Sequence, residues 1–278
     1  MEHLIPETLH EALKALYLGD AKVVGGGTDL MVQHRSPSGL PAAFPKTMVF
    51  CADLPELQGI RKEGNRIEIG SMTPLETIQN DPLCPSLLRE AIRVTASPAI
   101  RHVATLGGNI ANASPAGDTL PVLYLLDAWV ELRNLAGLRM ILLKDLIEGP
   151  RRLKLHPEEM ITKIAIPETP FTAQTFVKVG GRAADAISKV SFAAAADVEE
   201  GILRDFRFAF GAVGPTVMRD ETAEGAWIGA SLAELKNGVW RLLDMADPLI
   251  RPIDDQRSDK HYRRQVARNL LKDFVEKL

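Results

Sequence analysis

The sequence predicts an α+β protein of two domains, and three observations support that prediction. Its 278 residues exceed the ~150 residues of a typical domain, and its 46% apolar and 25% charged residues are those of an ordinary globular protein. Pro167 and Pro170 interrupt the chain and indicate a boundary. Before the boundary short strands alternate with helices and turns, whereas after it strand patterns come first and helices last. We therefore expect domains over residues 1–170 and 171–278.

Hydrophobic spacing predicts the first elements. Residues 7–18 place apolar side chains on one face of a helix. A short strand at 21–24 follows and runs directly into a glycine-rich segment. Residues 47–51 are typical of a buried strand, and polar residues alternate with Ile67 and Ile69 as they do in a half-buried strand.

The middle of the chain predicts three helices and a long loop. Thr73 is a suitable N-cap for the first of these helices, and residues 86–95 have the apolar spacing of an amphipathic helix. Residues 104–118 are rich in glycine and alanine, and we expect them to form the loop. An apolar helix then occupies about 120–126, and Asp118 is positioned to be its N-cap.

The second domain is expected to contain an antiparallel sheet followed by helices. Residues 128–166 of the first domain still alternate short strands and turns. Beyond the boundary, strand patterns occupy 175–179, 187–198 and 203–213, and helical patterns occupy 231–246 and 258–277. The last helix has Ser258 as a good N-cap and carries its apolar face at Tyr262, Val266, Leu270 and Phe274. Its opposite, basic face is expected to be solvated and consists of Lys260, Arg263, Arg264 and Arg268.

Composition and cysteine usage exclude several classes of function. Cys51 and Cys84 are the two cysteines of the sequence, and they cannot supply the four thiolates of a typical iron–sulfur cluster or an all-cysteine zinc site. We expect both to be free, largely buried thiols. The six histidines show no HExxH or paired spacing, so we expect no metal site. A net charge of −3 gives no support for a nucleic-acid partner.

The sequence predicts neither a membrane span nor a secretory signal. No run approaches the ~18–20 apolar residues that cross a bilayer. The amino terminus opens with an acidic residue and keeps helical spacing, which is unlike a signal peptide. We therefore expect a cytoplasmic protein that makes no membrane contact.

The first candidate binding segment is Val23–Leu30, where a strand runs into Gly25–Gly27. Because glycine has no Cβ, its backbone N–H can approach an anion closely, and Thr28 adds a hydroxyl donor. The segment lacks the lysine of a Walker loop, and its sixth position is Leu30 where the Rossmann fingerprint has glycine. A purely structural turn is the alternative interpretation.

The second candidate segment is Thr105–Asp118, which consists of small and hydrogen-bonding residues. Gly107 and Gly108 permit close backbone approach. The side chains suited to a ribose or a pyrophosphate are Asn109, Asn112, Ser114 and Asp118. Asp118 can cap the following helix, contact a ligand, or do both.

Together the two segments predict a long ligand that is held at its diphosphate. They lie roughly 80 residues apart and match neither common nucleotide fingerprint. GGGTDL at 25–30 and TLGGNIANASPAGD at 105–118 closely resemble the two FAD-binding segments of the flavoprotein subunit of molybdenum hydroxylases. That family includes the xanthine dehydrogenase, carbon monoxide dehydrogenase and nicotinate dehydrogenase types. The resemblance extends through 176–193, 208–219 and 257–271, and so covers essentially the whole chain.

The resemblance implies the fold in more detail. The first domain is expected to be a two-subdomain FAD-binding fold of the vanillyl-alcohol oxidase-like (PCMH) type, with subdomains at about 1–53 and 54–170. The second is expected to be a CO dehydrogenase flavoprotein-like C-terminal domain over 171–278, in which helices follow a three-stranded antiparallel sheet.

The resemblance also implies which residues bind FAD. Thr28 and the glycine amides of the first segment are expected at the pyrophosphate, and Ile161 on the adenine side. Lys178 matches a lysine near the flavin ring, whereas Asp185 and Ile187 match positions near its reactive edge. The complete set is Lys22, Val23, Val24, Gly25, Gly26, Gly27, Thr28, Asp29, Thr105, Leu106, Gly107, Gly108, Asn109, Asp118, Ile161, Lys178, Asp185 and Ile187.

The activity that the resemblance implies is electron transfer through FAD. Hydroxylation is expected on a molybdenum-cofactor subunit, and two [2Fe–2S] clusters of another subunit are expected to carry electrons to this chain, in a heterotrimer or a dimer of heterotrimers. Because a flavin itself takes up and releases electrons, we expect no catalytic side chain here. Carbon monoxide dehydrogenase-type members place a tyrosine where this chain has Ala186-Ile187, which favours the xanthine dehydrogenase-like branch with NAD as acceptor.

Two other functions remain open on the sequence. One is a self-sufficient flavin oxidase of the vanillyl-alcohol oxidase-like fold, although residues 171–278 leave little room for the substrate domain that such an enzyme needs. The other is a module that binds a nucleotide without catalysing a reaction.

Overall fold

The computed structural model describes residues 2–40, 43–182 and 185–278, so residues 183 and 184 of the motif at 176–193 lie outside it. The chain forms two compact units, and each is assembled from three separate stretches. Unit 1 comprises Met1–Cys84, Ala96–Ala113 and Ala128–Pro167, and unit 2 comprises Pro85–Thr95, Ser114–Asp127 and Glu168–Leu278.

Helices and strands alternate at the start of the chain and come in longer runs of one kind after that. The helices are α1 (Leu9–Tyr17), α2 (Leu30–Gln33), α3 (Leu75–Asn80), α4 (Ser86–Arg93), α5 (Pro98–Arg101), α6 (Leu106–Asn112), α7 (Thr119–Leu125), α8 (Leu143–Leu146), α9 (Glu221–Gly225), α10 (Leu232–Asn237), α11 (Val239–Ala246) and α12 (Lys260–Lys277). The strands are β1 (His3–Leu4), β2 (Ala21–Val24), β3 (Thr47–Phe50), β4 (Ile60–Glu63), β5 (Arg66–Gly70), β6 (Trp129–Asn134), β7 (Gly137–Leu142), β8 (Ile147–Gly149), β9 (Arg152–Leu153), β10 (Met160–Pro167), β11 (Ala173–Val179), β12 (Val190–Glu199) and β13 (Ile202–Gly211). Within the described ranges, none of the helices has both the length and the apolar character needed to cross a membrane.

The first sheet of unit 1 carries the Gly25–Gly27 segment at the end of one strand. Its order is β1–β3–β2 with parallel pairing, and Lys22 lies opposite Met48. Helix α1 begins where the Thr8 hydroxyl accepts the Glu11 amide, which satisfies one of the free donors of the first turn. Its apolar face packs into a core formed by Ala12, Leu13, Leu16, Val49, Cys51, Leu54, Leu57, Met72 and Met160.

The second sheet of unit 1 is five-stranded and antiparallel, in the order β4–β5–β10–β6–β7. Strand β10 lies at its centre, and Ile164 pairs with Ile69 on one side and with Val130 on the other. All three side chains are completely buried. The ladder between β10 and β6 shifts register between Ile161 and Lys163, so a bulge lies next to Ile161.

Unit 2 is built around the antiparallel sheet β11–β12–β13, so the predicted α+β class and C-terminal three-stranded sheet are confirmed. One face of the sheet carries large aromatic side chains and packs on α12, with Phe192, Phe206, Phe208, Phe210 and Phe274 in one buried cluster. The other face carries small side chains, since Ser191 pairs with Gly211 there. A Cβ on Gly211 would lie 2.9 Å from Pro121 Cγ, so α7 packs closely on this face.

Two predictions about the middle of the chain are wrong. Residues 104–118 are not one loop, because they contain α6, which begins after Thr105. Thr73 does not cap α3: Pro74 occupies the N-cap position, and the Thr73 hydroxyl donates to the Gly59 carbonyl at 3.2 Å.

The prediction for the last helix is also wrong in its register. Asp259, one residue after Ser258, is the N-cap of α12 and accepts the Tyr262 amide at 2.8 Å. The buried face is Arg263, Ala267, Leu271, Phe274 and Val275, whereas Tyr262 is 43% exposed. Arg263 can be buried because its guanidinium donates to Asp255 at 2.6 Å and to the Ala212 carbonyl at 3.3 Å.

Candidate functional site

The two glycine-rich segments meet in unit 1 and line one cleft. The first segment leaves the sheet at the end of β2, and the second forms the start of α6. The cleft has a volume of about 260 Å³. Its walls are formed by Lys22, Val23, Val24, Gly25, Gly26, Gly27, Thr28, Asp29, Leu30, Gln33, Ala104, Thr105, Gly108, Asn109, Ala111, Asn112 and Arg151.

Close packing against residues 103–105, where the second segment begins, accounts for the first two glycines of the first segment. A Cβ on Gly26 would lie 1.8 Å from the carbonyl oxygen of Val103, and a Cβ on Gly25 would lie 2.8 Å from Thr105 Oγ1. A Cβ on Gly27 would make only ordinary van der Waals contacts, at 3.7 Å from Met31 Cγ and 3.8 Å from Val24 Cγ1, but Gly27 has a φ of +69°, which L side chains rarely adopt. The backbone of Val103 therefore requires glycine at position 26 and the left-handed φ favours it at position 27, whereas at position 25 the Thr105 side chain leaves little room for a Cβ.

The backbone amides of the first segment are the donors available to a ligand. Among the residues that the structure describes, the N–H groups of Gly25, Gly26, Gly27 and Thr28 have no hydrogen-bond acceptor. Unsatisfied amides of this kind are uncommon in folded proteins unless water or a ligand binds them. Four of them on consecutive residues that line a cleft fit an anionic group such as a diphosphate.

The amides of the second segment are satisfied internally. The Gly107 amide donates to the Ser71 carbonyl at 2.9 Å, and the Gly108 amide donates to Thr105 Oγ1 at 3.0 Å. Gly107 must be glycine because a Cβ there would lie 2.6 Å from Ser71. The second segment therefore shapes the cleft, and its polar side chains rather than its amides face the ligand space.

Ile161 lies in an adjoining cavity of about 390 Å³. This cavity shares Lys22, Val23, Gly25, Gly108 and Ala111 with the cleft. Its remaining walls are mainly apolar and include Met72, Leu155 and Met160. The structure thus brings Ile161 to the same site as the glycine segments, where an aromatic ring would find an apolar surface.

Asp118 and Lys178 form a buried ion pair in unit 2. Lys178 Nζ donates to Asp118 Oδ2 at 2.6 Å and to the Val94 carbonyl at 2.9 Å, and Ser188 Oγ donates to Asp118 Oδ1 at 2.5 Å. Burial raises the pKa of the Asp118 carboxyl, and the ammonium and the hydroxyls of Ser188 and Thr95 oppose part of that rise. Asp118 occupies the predicted N-cap position of α7, but its side chain makes no capping hydrogen bond and binds Lys178 and Ser188 instead.

Asp185 and Ile187 lie on an exposed segment between β11 and β12. Asp185 has a φ of +49°, and its carbonyl accepts Arg182 Nε at 2.9 Å. Ile187 is 54% exposed. Since Ser188 bonds to Asp118, the segment is fixed at one end to the Asp118–Lys178 pair.

Gln33 and Arg151 also line the cleft, and neither was predicted from the sequence. Gln33 Nε2 donates to Asp29 Oδ2 and to Asn112 Oδ1, the latter at 3.1 Å, and so joins α2 to α6. Arg151 lies in the turn between β8 and β9. Neither residue belongs to a motif, so no sequence pattern pointed to them.

Comparison with known protein families identifies the class. The family described as "FAD binding domain in molybdopterin dehydrogenase" matches residues 1–169, and "CO dehydrogenase flavoprotein C-terminal domain" matches residues 175–278. The chain therefore belongs to the family of FAD-binding medium subunits of molybdenum hydroxylases. The family and the FAD cofactor that were predicted from the two glycine segments are confirmed.

Individual relatives agree with this assignment. The FAD subunit of nicotinate dehydrogenase from Eubacterium barkeri is 31% identical over 243 residues, which cover 83% of this chain and 80% of the relative. The xanthine dehydrogenase FAD-binding subunit from Escherichia coli O157:H7 is 28% identical over 267 residues, which cover 92% of this chain and 87% of that subunit. A chain of carbon monoxide dehydrogenase from Hydrogenophaga pseudoflava superposes with a TM-score of 0.90 at 27% identity, over 99% of this chain and 96% of that one. The fold prediction and the assignment as an oxidoreductase subunit are confirmed.

Proposed function

We propose that this chain carries electrons through FAD within a larger molybdenum hydroxylase complex of the xanthine dehydrogenase-like type, with NAD as the final acceptor. The observation that carries the FAD site is the row of unsatisfied amides from Gly25 to Thr28 in the cleft. The relatives named as FAD subunits of nicotinate and xanthine dehydrogenases support its place in such a complex.

In this proposal the backbone holds the cofactor at its diphosphate. The amides of Gly25, Gly26, Gly27 and Thr28 donate to the phosphate oxygens, and the Thr28 hydroxyl adds a further donor. Lys22 supplies a positive charge from the wall of the cleft. The cavity that contains Ile161 accommodates the adenine against apolar side chains. The bound flavin supplies the redox chemistry, so this chain has to position it and leave one edge accessible.

The residues proposed near the flavin ring are Lys178, Asp185 and Ile187, and the support for them is the resemblance to the family. The Asp118–Lys178 pair fixes the carboxylate and the ammonium relative to each other, with both side chains less than 10% exposed. Exposed Ile187 and Asp185 leave that segment open to an acceptor. The presence of Ala186-Ile187 in place of the tyrosine of carbon monoxide dehydrogenase-type members supports NAD as that acceptor.

The proposed partners are an iron–sulfur subunit that delivers electrons and a molybdenum-cofactor subunit that hydroxylates the substrate. We propose a heterotrimer or a dimer of heterotrimers in the cytoplasm. The family assignment supports this division of labour, because relatives carry names such as medium chain and FAD-binding subunit.

The test is an anaerobic absorbance spectrum of the purified chain before and after NADH is added. We expect a bound-flavin spectrum that loses its visible bands with NADH, and the same chain stripped of flavin serves as the control. Failure of the stripped chain to take up added FAD would contradict the FAD site. Bound flavin that NADH leaves oxidised but dithionite bleaches would contradict NAD as acceptor, whereas flavin that resists both would contradict electron transfer.

A further inference from the structure

The geometry points to Arg151 as a second cation for the diphosphate of FAD, in the cleft that the glycine amides also line. This inference rests on the proposed FAD site in unit 1. Arg151 lines the same cleft as Lys22 and Gly25–Thr28, although it is more than 120 residues away from them in sequence. It lies outside both glycine segments and in no motif.

The backbone at Arg151 is held in a conformation that favours glycine. Its φ is +59°, in the left-handed region that non-glycine residues rarely adopt. The Arg151 amide donates to the Ala113 carbonyl at 3.1 Å, which fixes the β8–β9 turn to the carboxyl end of α6. Ala113 itself has a φ of +45°. A non-glycine residue in this region carries a backbone cost, and such costs are found at functional sites among other places.

The charges around the cleft leave Arg151 available to an anion. Within the described part of the chain, neither the Arg151 guanidinium nor the Lys22 ammonium has an ion-pair partner. Asp29, the acidic residue of the cleft wall, already accepts a hydrogen bond from Gln33. Two cationic residues without ion-pair partners in the described part of the chain therefore border the cleft where a diphosphate with about two negative charges would bind, and a guanidinium matches phosphate oxygens in a bidentate geometry.

Arg152, the next residue, is a matched control. It is also an exposed arginine, but it does not line the cleft. Its guanidinium lies over its own turn, where an added Cβ on Gly149 would be 3.3 Å from it. Replacing either arginine by alanine removes the same charge and the same side chain from adjacent positions. A difference in ligand affinity between the two variants is therefore due to the position of Arg151 in the cleft.

The experiment is a titration of the flavin-free full-length chain with FAD, ADP and adenosine, for the wild type, R151A, R151K and R152A. We expect R151A to weaken FAD and ADP binding about 10- to 100-fold and adenosine binding by less than about twofold, since adenosine lacks the phosphates. R151K should recover part of the loss, and R152A should stay within about threefold of the wild type at moderate salt. The R151A affinity for ADP should also depend less steeply on salt.

A second variant separates binding from folding. R151G removes the cation but suits the left-handed backbone, so we expect its thermal midpoint without ligand to equal or exceed that of the wild type while its ADP affinity falls as in R151A. Equal ADP affinity of R151A and the wild type, or equal losses in R151A and R152A, would overturn the role of Arg151. Wild-type chain that binds neither FAD nor ADP would instead overturn the proposed function.

Discussion

Replacing Gly26 by alanine should damage the cleft more than any other single methyl group added to its wall. The new Cβ would lie 1.8 Å from the Val103 carbonyl oxygen and 2.4 Å from its carbon, both of them backbone atoms. An ordinary carbon–oxygen contact needs about 3.3 Å, so the two segments would have to separate by about 1.5 Å. The opposing backbone resists this, because the Val103 and Ala104 amides both donate to the Ile100 carbonyl, at 3.1 and 2.8 Å.

The cost of such overpacking is about 1–3 kcal/mol in stability. Moving the Gly25–Thr28 amides by more than 1 Å also misplaces the donors for the diphosphate, and about 2 kcal/mol of lost binding corresponds to a roughly 30-fold weaker affinity. Titration of the flavin-free chain with FAD and thermal unfolding of the same samples measure both effects. G137A is the control, because Gly137 has open space and no left-handed φ. A G26A variant whose FAD affinity stays within about threefold of G137A would refute the reasoning.

Three further predictions concern the stability of the fold and the reactivity of a buried thiol. K178M leaves the buried Asp118 carboxylate without its cation and should lower the free energy of unfolding, measured in urea, by about 3–5 kcal/mol. The double variant K178M/D118N should recover part of that loss. Equal stability of K178M and the wild type would contradict a buried pair. The Arg139 guanidinium lowers the pKa of Glu159 from its usual 4.5. The Glu159–Arg139 pair therefore stabilises the fold fully above pH 4.5, and this stabilisation is lost as the pH falls through the lowered pKa of Glu159. The E159Q variant removes this dependence, so its thermal midpoint should fall less steeply than that of the wild type on the acid side of the pH profile. Burial raises the pKa of the Cys51 thiol to about 12, so a thiol reagent at neutral pH should label it only after unfolding.

Helices and strands were predicted best where the hydrophobic spacing and the positions of glycine residues indicated the same element. The strand at Ala21–Val24 and the C-terminal sheet have the expected positions. Helix α6 was not predicted from the sequence because Gly107, Gly108 and Asn109 have low helix propensity. Tertiary contacts support it instead, since Thr105 caps it and the Gly107 amide bonds to Ser71.

The register of α12 could not be predicted, because burial of an arginine depends on partners far away in sequence. Arg263 was assigned to the solvated face, as an isolated arginine usually would be. In the fold its guanidinium reaches Asp255 and the Ala212 carbonyl, 51 residues earlier. The buried face consequently lies one residue later than the apolar spacing indicates for most of the helix, and Tyr262 is left half exposed.

Contacts between residues far apart in sequence could not be predicted in the cleft either. The glycine-rich segments were recognised in the sequence, but only part of the physical requirement for glycine could be inferred from it. Glycine was expected because an anion approaches the amides, yet Gly26 also contacts the backbone of Val103, 77 residues away in sequence. A single sequence does not show that these two stretches pack together. The two requirements reinforce each other: the contact that excludes a Cβ also holds the first segment in the conformation that leaves its amides unsatisfied. We therefore expect binding at this cleft to depend mainly on backbone atoms, with side chains such as Arg151 adjusting its charge.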